Sequence, residues 1–127
     1  MIVADTDVLV DALRGKRAAA GRIARALEAR ELATTAISVF ELWCGARTED
    51  ERVKVRTLLA AVTVLPLDDA AGEAAAVARR ALESEGWGIG LADYLIAGVC
   101  IAREATLLTR NREHFDRVPG LLVADLD

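Results

Sequence analysis

The chain has 127 residues, 54% of them hydrophobic but only 4% aromatic, and a formal net charge of −4. That length suits one compact domain whose core is built from Ala, Leu, Val and Ile, large enough to stand without disulfides or a structural metal. The acidic balance gives no reason to expect broad electrostatic capture of nucleic acid or of an anionic membrane, so any phosphate ligand needs local cations or a metal.

In chain order, IVAD (2–5) predicts a short buried strand, and VLVDALRG predicts a helical turn or two ending at Gly15. GRIARALEARE places Ile23, Ala26 and Leu27 on one face, which is helical periodicity. LATTAI (32–37) predicts a second strand running into Ser38, and SVFELWCGAR and EDERVKVRTLLAAV predict two helices. VTVLPL predicts a third strand, with Pro66 near its end where a missing N–H is tolerated. DDAAGEAAAVARRALESEG predicts a long alanine-rich helix stopped at Gly86. The loop GWGIG leads into a helix over LADYLIAGVCIARE, then TLLT predicts a fourth strand, NREHFDRVPG a short turn or helix, and LLVADL a fifth strand.

Strands separated by helices imply α/β architecture: a parallel central sheet of about five strands with right-handed crossovers and helices on both faces. The longest uninterrupted apolar stretch, residues 95–102, is well short of the roughly 18 residues of a membrane span. The first residues lack a basic leader and reach an acid at once, so a soluble, cytoplasmic protein is expected. Cys44 and Cys100 both lie in apolar helical stretches and are expected to be small buried hydrophobes in a reducing compartment. One histidine, His114, leaves a Cys/His zinc cluster and a histidine-based triad poorly supplied.

Open parallel sheets bind ligands beyond the carboxyl ends of their strands. Asp5 falls at that end of the first strand, although Asp there is also a good helix N-cap, a role that Thr6 or Asp7 could share. Glu41 lies three residues after Ser38, and Ser-x-x-Glu is a capping-box pattern as well as an acid at the same sheet edge. Asp93 stands in the first turn of the helix behind GWGIG, whose glycines let the chain turn sharply and bring the acid to that edge. The alternative there is a carboxylate stabilised by the helix dipole. As a dinucleotide fingerprint GWGIG fails, because it follows a helix rather than a strand. After the fourth strand, TRNREHF adds Asn111, Glu113 and Asp116 as oxygen donors and Arg110 and Arg112 as phosphate donors. Two unit charges about 4 Å apart repel by roughly 4 kcal/mol at an effective dielectric near 20, so gathered acids call for a cation. Oxygen donors without nearby His or Cys select a hard ion, Mg²⁺ or Mn²⁺.

The stretches MIVADTDVLVDALRG, SVFELWCGA, GIGLADYLIAGVCIAREATLLTRNREHF and RVPGL, in this order, resemble the PIN-domain ribonucleases, specifically the VapC-type toxins of bacterial toxin–antitoxin pairs. The likeness covers nearly the whole chain, taken as one PIN domain over residues 1–127. It implies that Asp5, Glu41 and Asp93 are the family's first three acids, holding Mg²⁺ or Mn²⁺ for hydrolysis of RNA phosphodiester bonds. Many members carry a fourth acid after strand four; here Asn111 stands at one candidate position, and His114 at the place before Phe115 that often holds Asp. Glu113 or the amide oxygen of Asn111 is left as the possible fourth ligand. Thr6 and Thr109 are expected to orient a water or ligand, and Arg110 and Arg112 to hold an RNA backbone. The resemblance also implies a homodimer and inhibition by a VapB-type antitoxin, for which Phe40, Leu42 and Trp43 beside ERVKVRTLLAAV offer an apolar groove; plain core packing is the alternative for these side chains.

Two other readings compete. VADTDVL also matches the strand-Asp-x-Asp pattern of haloacid-dehalogenase-like phosphatases, but that class needs a lysine after a later strand, and Lys16 and Lys54 follow none. The missing fourth acid also suits a catalytically weak PIN-like module that only binds RNA or a partner. In the nuclease reading Asp7 serves the turn or supports the site from outside it.

Overall fold

The computed structural model describes residues Met1 to Asp127. Its elements run β1 (Ile2–Ala4), α1 (Thr6–Leu13), α2 (Arg17–Glu28), β2 (Leu32–Thr35), α3 (Ala36–Gly45), α4 (Glu49–Ala61), β3 (Thr63–Leu65), α5 (Asp69–Ser84), α6 (Leu91–Ala102), β4 (Thr106–Leu108), α7 (Arg112–Phe115) and β5 (Leu122–Ala124). The strands form one parallel sheet in the order β3-β2-β1-β4-β5, as the alternation of strands and helices predicts.

Because successive residues of a strand point to opposite faces, the short strands feed two cores. Val3, Ala33 and Leu107 pack on one side with Tyr94, Ile96 and Val99 of α6 and with α5. Ala4, Leu32 and Leu108 pack on the other with Val8, Leu9, Ile23 and Leu42 from α1, α2 and α3. The chain moves from β1 to β2 and β3 on one side, and later lays β4 and β5 on the other. The strand order therefore reverses between β1 and β4, which opens a crevice at the carboxyl ends of those two strands.

Helices α5 and α6 pack at very short range. Ala71, Ala75 and Ala78 line the buried stripe of α5, and a Cβ on Gly98 of α6 would run into the Ala71 carbonyl oxygen, with Ala75 Cβ at 2.7 Å and Ala75 N at 2.8 Å. The sequence thus buries small residues where two helix backbones meet, and α6 in turn carries Asp93. No helix is long and apolar enough to cross a membrane.

Four local expectations need correction. Strand β2 ends at Thr35 rather than residue 37, because the Thr35 hydroxyl accepts the Ser38 amide at 3.1 Å and starts α3 there. Ser38 and Glu41 are therefore inside the helix, and Glu41 caps nothing. In GWGIG only the first glycine, Gly86 (φ +77°), takes the left-handed turn; Gly88 and Gly90 do not. The loop is held instead by the Tyr94 hydroxyl, which accepts the Ile89 amide at 3.0 Å. Finally, Cys100 is buried as expected but Cys44 is exposed, since it lies on the outer side of α3.

Candidate active site

Strand β1 delivers Asp5 to the crevice. Its own amide still donates to Leu108 O at 2.9 Å in the sheet ladder, while its side chain begins α1. The carboxylate is almost fully buried, 4% exposed. Oδ1 accepts the Thr6 amide at 2.8 Å and Oδ2 accepts the Thr109 hydroxyl at 2.8 Å from the end of β4. Capping and site-building are thus the work of one side chain.

Burial pushes the Asp5 carboxyl up from 3.8 to about 6. The negative charges of Asp7 and, more weakly, Asp93 push the same way, while the bonds from Thr109 and Thr6 offset only part of the rise. No Lys, Arg or His pairs with Asp5. Asp5 is therefore a buried carboxylate among like charges, lacking a counter-ion. Burial and, to a smaller degree, the Asp5 charge push the Cys100 thiol up to about 12, which keeps it protonated and inert.

Glu41 projects from α3 toward α1, where its Oε1 accepts the Thr6 hydroxyl at 2.7 Å. That same hydroxyl is 2.8 Å from the buried Ser38 Oγ. Ser38 went unrecognised in sequence beyond capping; the signal was the run of hydroxyl residues Thr34, Thr35 and Ser38 at a strand end. Asp93, in the first turn of α6, meets His114 across the crevice, with His114 Nδ1 3.1 Å from Asp93 Oδ2.

The loop after β4 is occupied differently from expectation. The Asn111 amide group donates to Asp7 Oδ2 at 2.6 Å, and its backbone N–H donates to the Thr109 hydroxyl. Glu113 is exposed and makes no side-chain hydrogen bond or ion pair. Arg110, expected as a phosphate donor, instead clasps α1: Nη1 is 2.9 Å from the buried Asp11 and Nη2 3.8 Å from Asp7. Arg112 lies between Asp116 (3.4 Å) and Asp125 (3.7 Å). Acids have drawn both guanidinium groups into the scaffold: Asp116 is four residues from Arg112, a spacing visible in sequence, whereas the pairing of Arg110 with Asp11 is carried by no short motif.

The donors around Asp5 are carboxylate and hydroxyl oxygens, with negative charge in excess. They fit a hard divalent ion in kind and in charge. No three His, Cys, Asp or Glu side chains converge closely enough to form a finished cage.

Phe40, Leu42 and Trp43 do not share a surface. Leu42 is buried and lines a groove of about 300 Å³ between α1, α3 and α4, together with Val10, Leu13, Ala46 and Val55, with Glu41 also in its lining. Trp43 lies under the Arg56 guanidinium on α4. Phe40, 68% exposed, faces the opposite way, beside Leu67 and Leu91.

The residue pattern of the PIN domain matches positions 2–121. Ribonuclease VapC19 of Mycobacterium tuberculosis (strain ATCC 25618 / H37Rv) is 37% identical over 122 residues, covering 95% of this chain and 97% of that protein. Ribonuclease VapC10 of the same strain is 36% identical over 115 residues, covering 91% and 86%. Among solved structures, VapBC2 from Rickettsia felis, bound to a DNA fragment from its promoter, superposes with a TM-score of 0.89 at 26% identity over 100% of both chains. The DNA-bound VapBC from Salmonella typhimurium gives 0.90 at 24% identity, a likeness of fold.

Proposed function

The chain belongs to the PIN-domain family, among its VapC-type ribonuclease toxins, and from that premise we propose that it hydrolyses RNA phosphodiester bonds at the β1–β4 crevice using Mg²⁺ or Mn²⁺. The observation that carries this reading is Asp5: buried, flanked by acids and lacking a cationic partner. Asp5, Glu41 and Asp93 would hold the ion. When bound, it supplies positive charge to the scissile phosphate and lowers the pKa of a coordinated water.

The chain's own residues do the positioning. Thr109 fixes one oxygen of Asp5 and the Thr6 amide the other, so the carboxylate cannot rotate away from the crevice. The Thr6 hydroxyl, backed by Ser38, orients Glu41. Helix α1 brings its N-terminal end to the crevice, a partial positive charge that favours an approaching phosphate. An unstacked strand or loop is the expected RNA form, because its phosphates can enter a recessed site.

Two apolar surfaces suit two partners. The α1–α3–α4 groove takes an apolar segment of a VapB-type antitoxin, and because Glu41 helps line it, an occupant there touches one of the three acids. The face of Phe40, Leu67 and Leu91 takes a second copy of the chain.

The test is cleavage of total RNA by the purified chain, freed of antitoxin. Cutting is expected with Mg²⁺ or Mn²⁺, to stop with chelator, and to be lost in Asp93→Asn. No cleavage with either ion would favour the module that only binds. Hydrolysis of phosphomonoesters that depends on Asp7 would favour the phosphatase.

A further inference from the structure

Of the donors after β4, the structure brings His114, rather than Asn111 or Glu113, to Asp93. Asn111 is committed to Asp7 through its amide group, and Glu113 points to solvent without a partner. Phe115, the next residue, is fully buried, and the His114 amide donates to Asn111 O at 2.9 Å, so the backbone that presents the imidazole is anchored. Its side chain is 47% exposed and that of Asp93 25%, which leaves the pair open to an entering ion.

We infer that His114 is the fourth donor of the site and that its nitrogen biases the site toward a first-row transition ion, Mn²⁺, over Mg²⁺. This rests on the reading that Asp5, Glu41 and Asp93 hold a divalent ion. Adjacent donors on a six-coordinate ion with bonds of about 2.1 Å stand about 3 Å apart. The His114 Nδ1 and Asp93 Oδ2 atoms, 3.1 Å apart, already have that spacing. A hydrogen bond has the same length, so the pair is stable while it waits. Mg²⁺ sheds water reluctantly and takes oxygen donors almost exclusively, whereas Mn²⁺, although it also favours oxygen, accepts an imidazole nitrogen more readily. A neutral imidazole also adds a donor without adding negative charge.

The experiment is Mn²⁺ titration of the purified chain followed by electron paramagnetic resonance, with pulsed detection of nitrogen-14 coupling at the bound ion. Wild type is expected to show imidazole coupling. His114→Gln, whose amide still donates to Asp93, is expected to lose it, and His114→Asp is expected to narrow the Mn²⁺-to-Mg²⁺ affinity ratio by roughly tenfold. Mn²⁺ that binds wild type and is lost in Asp93→Asn, but shows no nitrogen coupling and the same ratio in His114→Asp, overturns the role of His114 and leaves the three-acid site standing. A wild-type chain that binds no Mn²⁺ overturns both.

Discussion

Replacing Asp5 by Asn raises the stability of the metal-free protein at pH 8 while reducing RNA cleavage by about a thousandfold or more. The stability gain follows from where the proton sits. In the unfolded chain Asp5 titrates near 3.8, and in the fold burial moves it to about 6. Below 3.8 the carboxyl is neutral in both states and costs nothing. Between 3.8 and 6 the unfolded chain releases the proton while the folded chain keeps it, so stability falls as pH rises. Above 6 the full cost is present, about 3 kcal/mol. Asparagine has nearly the same shape and keeps an oxygen acceptor for one of the two bonds, but carries no charge. A gain of about 2 kcal/mol, or roughly 5 to 10 °C in melting temperature, is therefore expected at pH 8, shrinking to nothing near pH 4. Saturating Mn²⁺ reverses the order, because it stabilises only the wild type. Thermal melts at the two pH values, with and without Mn²⁺, check each part. A variant less stable than wild type at pH 8 would mean that Asp5 is chiefly a structural cap.

Gly98→Val is expected to lower stability by about 3 kcal/mol or more, with a fall of roughly 10 °C or more in melting temperature. Helix propensity alone argues the opposite, because a glycine inside a helix costs about 1 kcal/mol relative to alanine. The side chain, however, would enter the backbone of α5 at Ala71 and Ala75, which cannot yield as the end of a flexible side chain can. Helix α6 must then move off α5, and with it Asp93. Urea unfolding and RNA cleavage should therefore decline together, whereas unchanged unfolding would contradict the close approach of these helices.

The parts of this molecule that were legible in its sequence are those written in local pattern. Apolar runs of three or four residues between amphipathic segments gave the parallel sheet, and an acid directly after β1 gave Asp5. Asp93 was legible because a helix start after a glycine-rich loop leaves few places for an acid to go. The end of β2 was not legible: Thr-Thr-Ala-Ile has strand-like residues throughout, and only the hydroxyl of Thr35 reaching Ser38 ends it. The roles of Arg110 and Asn111 were not legible either. Their partners, Asp11 and Asp7, are about a hundred residues away in sequence and adjacent only after β1 and β4 pair. The small residues Ala71, Ala75 and Gly98 read as ordinary helix composition until two backbones meet there.

Anomalous scattering from a crystal of the chain soaked in Mn²⁺ bears most directly on the whole account. A peak within bonding distance of Asp5, Glu41 and Asp93, at the carboxyl ends of β1 and β4, is the predicted result. A map with those three carboxylates turned apart and no manganese between them would contradict it.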